Sequence, residues 1–439
     1  MNGVADSPAN ILGNARARGA CPSLSAPMQT GDGLLVRLKP AALGLSPDTL
    51  FALADLGQRH GNGILEVTAR GNLQIRGLTE TSACLLAEDV NALKIDPAGA
   101  PAIEIPPLAG LDPTEILDPR PLAGALRGAI TDAAYRLAPK LAITINSGGR
   151  LHLGAASADI RLDAVSAAAP HVSEPPLSSS LWRVAVGGTA KTARGIGVVS
   201  AENAVASVLT ILRSLHEHGP TTRGRDIAPE SIHLLGDGPG ERPSQPDIAP
   251  AGLHSFDTGQ MVLGVALAFG QVSASTLMQL MVAAGNADIA DVRLAPGHAL
   301  LLTGVKADRL AALQAQAHAL GFITQADAPG NFISACAGAP ACASAGIDTK
   351  DVAASLIATV PGLFDGSVHV HISGCAKGCA HPAPAGLTLA PVAGGIGYVL
   401  DGAAHAAEAR FDVQSLSSAM RAKPAHETAR QHLARFAAR

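Results

Sequence analysis

No stretch of this 439-residue chain is apolar for long enough to cross a bilayer, which takes about 20 residues; the longest such run is Met261 to Phe269. The segment from Met1 to Ala26 has no apolar core of the kind a secretory signal carries. A cytoplasmic protein is therefore expected, with no membrane partner. Charge of one sign is also lacking: 32 Lys and Arg against 36 Asp and Glu give a net charge of −4. No global field draws such a chain to nucleic acid, and any basic site has to be local. Cysteine is sparse, at six residues. In a reducing compartment thiols persist, which favours metal ligation over disulfides.

What is present is a soluble-type composition, 47 % apolar, with length enough for about three domains. Four of the six cysteines fall in one region: Cys336 and Cys342 as C-x5-C, then 32 residues, then Cys375 and Cys379 as C-x3-C. Four converging thiolates suit an iron–sulfur cluster, a tetrahedral zinc or two disulfides. Zinc usually takes pairs about two to four residues apart, so the x5 spacing counts against it. Small residues between these cysteines let backbone N–H groups approach cluster sulfurs. Cys84 lies in an apolar run and is expected in the core; Cys21, before Pro22, carries no assignment.

Taken in order, the chain gives a strand at Leu34–Leu38, then a helix opened by Ser46-Pro47 and closed near Gly61. Strand-like runs Ile64–Ala69 and Leu73–Arg76 and a helix near Thr81–Leu93 follow. The order β-α-β-β-α is that of a ferredoxin-like unit. The unit recurs 227 residues later: Ser46-Pro-Asp-Thr-Leu50 lies over Ser273-Ala-Ser-Thr-Leu277, and Leu73–Gly77 over Leu300–Gly304. At a shift of 226, Asn146–Gly149 lies over Ile372–Cys375. Duplication and a pseudo-twofold molecule are expected. Gly149 stands opposite Cys375, whereas Arg70 and Arg76 stand opposite Gly297 and Thr303. One half would hold the metal group and the other supply cations, with a ligand between them. The stretch Pro220–Pro250 reads as a linker or surface loop, and Ser173–Ser180 as a connection.

These residues resemble the sulfite/nitrite reductase family, in which C-x5-C and C-x3-C hold a [4Fe–4S] cluster. The likeness runs from about residue 26 to 410. Within it, Arg18–Gly33 (Arg-Gly-Ala-Cys-Pro-Ser-Leu-Ser-Ala-Pro-Met-Gln-Thr-Gly-Asp-Gly) and Ser373–His381 look like the corrin-biosynthetic branch. That branch hydroxylates precorrin-3A with dioxygen and closes a γ-lactone. The resemblance implies an α+β fold of two pseudo-twofold-related halves, each a ferredoxin-like half-domain plus a mixed α/β sulfite-reductase-like domain. Its expected boundaries are an arm at 1–26, half-domain 27–100, a cluster-free domain at 101–218, a linker at 219–250, half-domain 251–325 and a cluster domain at 326–439. It implies a [4Fe–4S] cluster on Cys336, Cys342, Cys375 and Cys379, a mononuclear non-haem iron, and NAD(P)H as electron source, with a place for an electron-donor protein as partner.

Departures from the reductases are informative. Arg70, in Thr68-Ala-Arg-Gly-Asn-Leu-Gln74, matches one oxyanion-binding Arg of that family, and Lys140 matches a Lys. Ala142 stands where sulfite reductases carry a second Lys, and Lys377 where they usually place Asn. Sirohaem is therefore not expected, although a sirohaem-dependent sulfite or nitrite reductase stands as the rival reading; a zinc-stabilised binding protein without catalysis is the third. A precorrin presents a ring of carboxylates, which Arg and Lys recognise. Candidate contacts are Arg70, Asn72, Gln74, Arg76, Lys140, Arg150, Arg161 and Lys377, with 70, 72, 74 and 76 on one strand face. His369, His371 and His381 are candidate ligands of the second iron.

Overall fold

The computed structural model describes residues 22–95, 100–133, 135–166, 180–234, 246–381 and 383–437. The strands of these residues form four five-stranded sheets. In chain order each half builds an antiparallel sheet and then a mixed one, so the α+β expectation is met. The assignments placed on residues 1–21 and 173–179, Arg18 and Cys21 among them, lie outside the described residues.

The first antiparallel sheet runs Met28–Thr30, Gly33–Leu38, Leu73–Leu78, Ile64–Val67 and finally Gln271–Ser273. The second runs Gly252–Ser255, Met261–Ala266, Ala299–Thr303, Asp291–Ala295 and finally Gly44–Leu45. The last strand of each comes from the other half: Gln271–Ser273 pairs with Glu66–Ile64, and Gly44–Leu45 with Arg293–Val292. Such a reciprocal exchange is what a twofold relation between the halves produces.

Each exchanged strand runs into a helix of its own half. Ser46 caps Pro47–His60 by accepting the Thr49 amide, and Ser273 caps Ala274–Asn286 by accepting that of Thr276. Each such cap is worth about 1 kcal/mol. The repeat read at an offset of 227 is thus the same cap used twice. Leu50, Leu53, Leu277 and Leu280, none more than 2 % exposed, meet in one core with Val36, Leu65, Leu263 and Leu302. Burying each such side chain contributes roughly 1.5–3 kcal/mol. Neither half-domain closes its core alone.

Gly71 shows how tightly the halves fit. It has φ +73°, in the turn between the strands Ile64–Val67 and Leu73–Leu78, and a Cβ there would lie 2.8 Å from the Ala295 carbonyl carbon. Gly71→Ala is expected to destabilise the protein by about 1–3 kcal/mol, the usual range for overpacking. A denaturation midpoint equal to that of the wild type would refute the close approach.

The two mixed sheets share one plan. In the first half Ala102–Glu104, Ala142–Asn146 and Ala158–Ser166 are parallel neighbours, and Ser180–Gly188 and Arg194–Ser200 continue antiparallel. In the second half Ile333–Ala335, Val370–Ile372 and Ala385–Val392 are parallel, followed by Gly395–Gly402 and Ala409–Arg410 antiparallel. Ala142–Asn146, the middle one of the three parallel strands in the first half, is buried at every position, as a parallel strand covered on both faces requires. Helices Arg120–Ala133 and Ala201–His218 pack the first of these sheets, and Thr349–Thr359 packs the second.

The described part of the 219–250 segment is held to the first mixed sheet. Arg223 and the Gly224 amide both hold the buried Asp159 carboxylate, and Arg194 donates to the carbonyls of Gly224, Arg225 and Ile227. Polar side chains placed far away in sequence tie the segment down. Arg293, opposite Glu66 in the repeat, is 8 % exposed on the second antiparallel sheet. Among the described residues no helix is long and apolar enough to cross a membrane.

Candidate functional site

Cys336 and Cys375 each follow a parallel strand, Ile333–Ala335 and Val370–Ile372. Ligands commonly gather beyond the carboxyl ends of such strands. The loops that continue from them are locked together. The Gly346 amide donates to Gly374 O at 2.7 Å, Thr349 Oγ1 donates to Cys336 O at 2.7 Å, and Ser373 Oγ donates to Cys375 O at 2.6 Å. The Gly374 amide points at the Cys336 sulfur, 3.1 Å away. A Cβ at residue 374 would lie 2.7 Å from the Ala345 Cβ, so a glycine is needed where the loops cross.

Burial pushes the Cys379 thiol up, and the neighbouring sulfurs of Cys375, Cys336 and Cys342 add to the effect, while Lys377 opposes it. All four are free thiols. Lys377 itself reaches across to Ser344 Oγ at 3.2 Å. Among the described residues no three or more His, Cys, Asp or Glu side chains are gathered tightly enough to hold one metal ion. A cubane takes its cysteines at separate corners rather than around one atom, so four near but unconverged thiols with an N–H aimed at sulfur fit that group.

The three histidines are neighbours of this patch. The His381 ring stands 5.0 Å from that of His369 and 5.7 Å from that of His371, centroid to centroid. Burial, and then the His381 ring, hold His369 and His371 down at about 4, so both are neutral near pH 7. His369 is bonded to Ser334 Oγ and His381 to Ala383 O. His371 is fully buried, and neither ring nitrogen has a hydrogen-bond partner among the described residues. The structure brings the three together, but a mononuclear iron finds no ligand set among the described residues.

A cavity of about 1140 Å³ opens between the helix Glu80–Ala92 and the first mixed sheet. It exceeds the roughly 300–1,000 Å³ of an ordinary small-molecule pocket. Arg70, Asn72 and Lys140 line it, with Ala142. Arg70 donates to both Glu104 oxygens, at 3.1 and 3.2 Å, and to Ser157 O at 2.7 Å. Asn72 Oδ1 is buried with no hydrogen-bond partner among the described residues, and Lys39 Nζ, also buried, forms an ion pair with Glu104 at 3.7 Å and is held down first by burial. Arg37, Lys39, Arg223 and Arg225 also line the cavity, and the sequence analysis missed them. The alternation of Arg37 and Lys39 with apolar neighbours was the available signal. Cys84, expected in the core, is only half-buried and lines the same cavity.

The remaining candidates stand elsewhere. Arg161 is fully buried and held by Asp163 at 3.0 Å and by the carbonyls of Leu153 and Ala156. Arg150 donates to Ser255 O at 2.8 Å and lies over the Phe256 ring. Gln74 and Arg76 are buried on the first antiparallel sheet, where they form a chain. With its oxygen turned to Arg37, the Gln74 amide accepts from that side chain at 2.7 and 2.9 Å and donates to Glu66 at 2.7 Å. Glu66 then meets Arg76 at 3.3 Å. Arg76 donates to Ala341 O, beside Cys342, at 3.0 Å. A continuous line of polar contacts therefore runs from the cavity wall to the cysteine loop.

Comparison with known proteins bears on the fold and the family. The family model described as the nitrite/sulfite reductase ferredoxin-like half domain matches residues 26–93. A precorrin-3B synthase from Sinorhizobium sp is 44 % identical over 413 residues, covering 92 % of this chain and 87 % of that protein. A ferredoxin–nitrite reductase from Synechococcus elongatus is 24 % identical over 392 residues, 81 % of this chain and 75 % of its own. Among solved structures, the NirA protein of Mycobacterium tuberculosis has a TM-score of 0.69 at 17 % identity, covering 92 % of this chain and 83 % of that one; it supports the fold. With 44 % identity across 92 % of its length to a curated member, the chain belongs to the precorrin-3B synthase family, within the group that carries nitrite/sulfite reductase ferredoxin-like half domains.

Proposed function

We propose that this protein converts precorrin-3A to precorrin-3B in cobalamin biosynthesis, hydroxylating a meso carbon with dioxygen and closing a γ-lactone from a neighbouring acetate. The observation that carries this reading, beside the family, is a large cavity lined by cations and by the buried, unbonded Asn72 Oδ1, joined by a polar chain to a four-thiol patch. A [4Fe–4S] cluster on Cys336, Cys342, Cys375 and Cys379 would supply single electrons, drawn ultimately from NAD(P)H. The residues of the chain bind and orient. Lys39 Nζ, Lys140 and Arg70 face the cavity as cations for acetate and propionate groups, and Asn72 Oδ1 is free to accept an N–H or O–H. Each hydrogen bond to a charged group contributes roughly 1.5–3 kcal/mol, so three or four fix the macrocycle's orientation. Ala142, in place of a lysine, leaves one cation fewer for a small oxyanion, which favours a bulky substrate over sulfite or nitrite.

The test is an anaerobic titration with precorrin-3A, followed by absorbance. Arg70→Ala is expected to raise Kd about ten-fold, the low end for a charged contact because Arg70 also serves Glu104. Unchanged affinity would remove Arg70 from the site.

A further inference from the structure

Arg76 has four polar contacts and almost no solvent. It is 3 % exposed. Its Nε and Nη2 hold Asp32 at 3.0 and 2.8 Å, Nη1 reaches Glu66 at 3.3 Å, and Nη2 also donates to Ala341 O at 3.0 Å. Burial works to raise the Asp32 carboxyl, but the bonds from Arg76 and Thr30 more than offset it and hold Asp32 ionised. Asp32 sits in the turn joining the strands Met28–Thr30 and Gly33–Leu38. Its neighbour Gly31 lies against the cysteine loop so closely that a Cβ there would fall 2.6 Å from Ala343 N and 2.9 Å from the Cys342 carbonyl carbon. Turn and arginine thus bear together on the backbone either side of Cys342.

The other half repeats the device with a different residue. Thr303 occupies the place of Arg76, but Arg293 donates to Pro107 O at 3.0 Å and to Ala109 O at 2.9 Å. Those carbonyls belong to the loop after Ala102–Glu104, the counterpart of the loop after Ile333–Ala335. Each antiparallel sheet therefore ties down the loop of the opposite half, and only one of those loops bears cysteines.

We propose that Arg76 is a positioning residue: it latches the Cys336–Cys342 loop to the first half and presets Cys342 before any metal is bound. The inference rests on the reading of these cysteines as cluster ligands, but its first readout needs no cluster. Hydrogen exchange of the metal-free chain is to be measured in the wild type, Arg76→Gln and Arg293→Gln. Arg76→Gln is expected to speed amide exchange across 336–346 about ten-fold or more, as loss of a charged hydrogen bond would, and to leave 105–112 unchanged. Arg293→Gln should do the reverse. After anaerobic reconstitution, Arg76→Gln should lose its iron to air several-fold faster than wild type and show a shifted EPR signal when reduced. Arg76→Lys, which keeps the charge but not the fork, should fall between, and it carries the test if the glutamine variant does not fold. Equal exchange across 336–346 in wild type and both Arg76 variants overturns the latch. So does an equal rise there in Arg293→Gln, which would mean general loosening. A wild type that takes up no iron and sulfide would sink the cluster reading, while the exchange data still judge the latch.

Discussion

Cys375→Ser is expected to leave a folded protein that retains no iron–sulfur cluster and has no oxygen-dependent turnover of precorrin-3A above background. The thiol stands at the end of Val370–Ile372, at the point where both loops cross. Serine keeps the backbone contacts that define that crossing, namely Ser373 Oγ to the carbonyl of residue 375 and the Gly374 amide to Cys336. What is removed is one of four sulfur donors, and a cubane depends on all four for its usual saturation. Far-ultraviolet circular dichroism should match wild type while visible absorbance, iron and acid-labile sulfide fall to blank values. Wild-type turnover by this variant would show that Cys375 holds nothing needed for the reaction.

The second large effect lies far from the cysteines. Asp163→Ala is expected to destabilise the protein by about 3–5 kcal/mol, because a buried cation loses its counter-charge. Asp163 is fully buried, with Arg161 at 3.0 Å and Arg183 at 3.8 Å. Both arginines are themselves at most 2 % exposed. Removing the carboxylate leaves Arg161 with only backbone carbonyls in a place water does not reach. Replacing Arg161 and Asp163 together by apolar residues should cost less than the single change, since Arg161 then no longer stands as a buried charge without its carboxylate. Urea denaturation of the wild type and the two variants measures this, and a midpoint for Asp163→Ala equal to wild type would contradict the ion-pair account.

Arg161 also shows where the sequence stopped being legible. An arginine in a strand reads as a cation available to a carboxylate, and nothing in the spacing reveals that Asp163, two residues on, consumes it. Arg76 is the harder case, for its partner Asp32 lies 44 residues away. By contrast, the capped helix starts at Ser46 and Ser273 were readable, because a cap is a local signal and the duplication repeats it. The cysteine spacing is likewise a local pattern, and the fold sets its four thiols near one another. The exchanged strands Gly44–Leu45 and Gln271–Ser273 are two and three residues long, too short for any periodicity to register. Arg37 and Lys39 carried a period-two signal, but only the fold reveals that their face turns toward a cavity.

The central claim is that this fold turns a reductase-like frame to oxidation of a tetrapyrrole. The most direct measurement takes anaerobically prepared protein reconstituted with iron and sulfide, adds precorrin-3A and NAD(P)H with an electron-transfer protein, admits isotopically labelled dioxygen, and weighs the product. The account predicts a tetrapyrrole heavier by one oxygen atom, carrying label from dioxygen, and no product when dioxygen or the cluster is withheld. An unchanged precorrin-3A under full reconstitution, together with bound sirohaem and turnover of sulfite or nitrite, would contradict it.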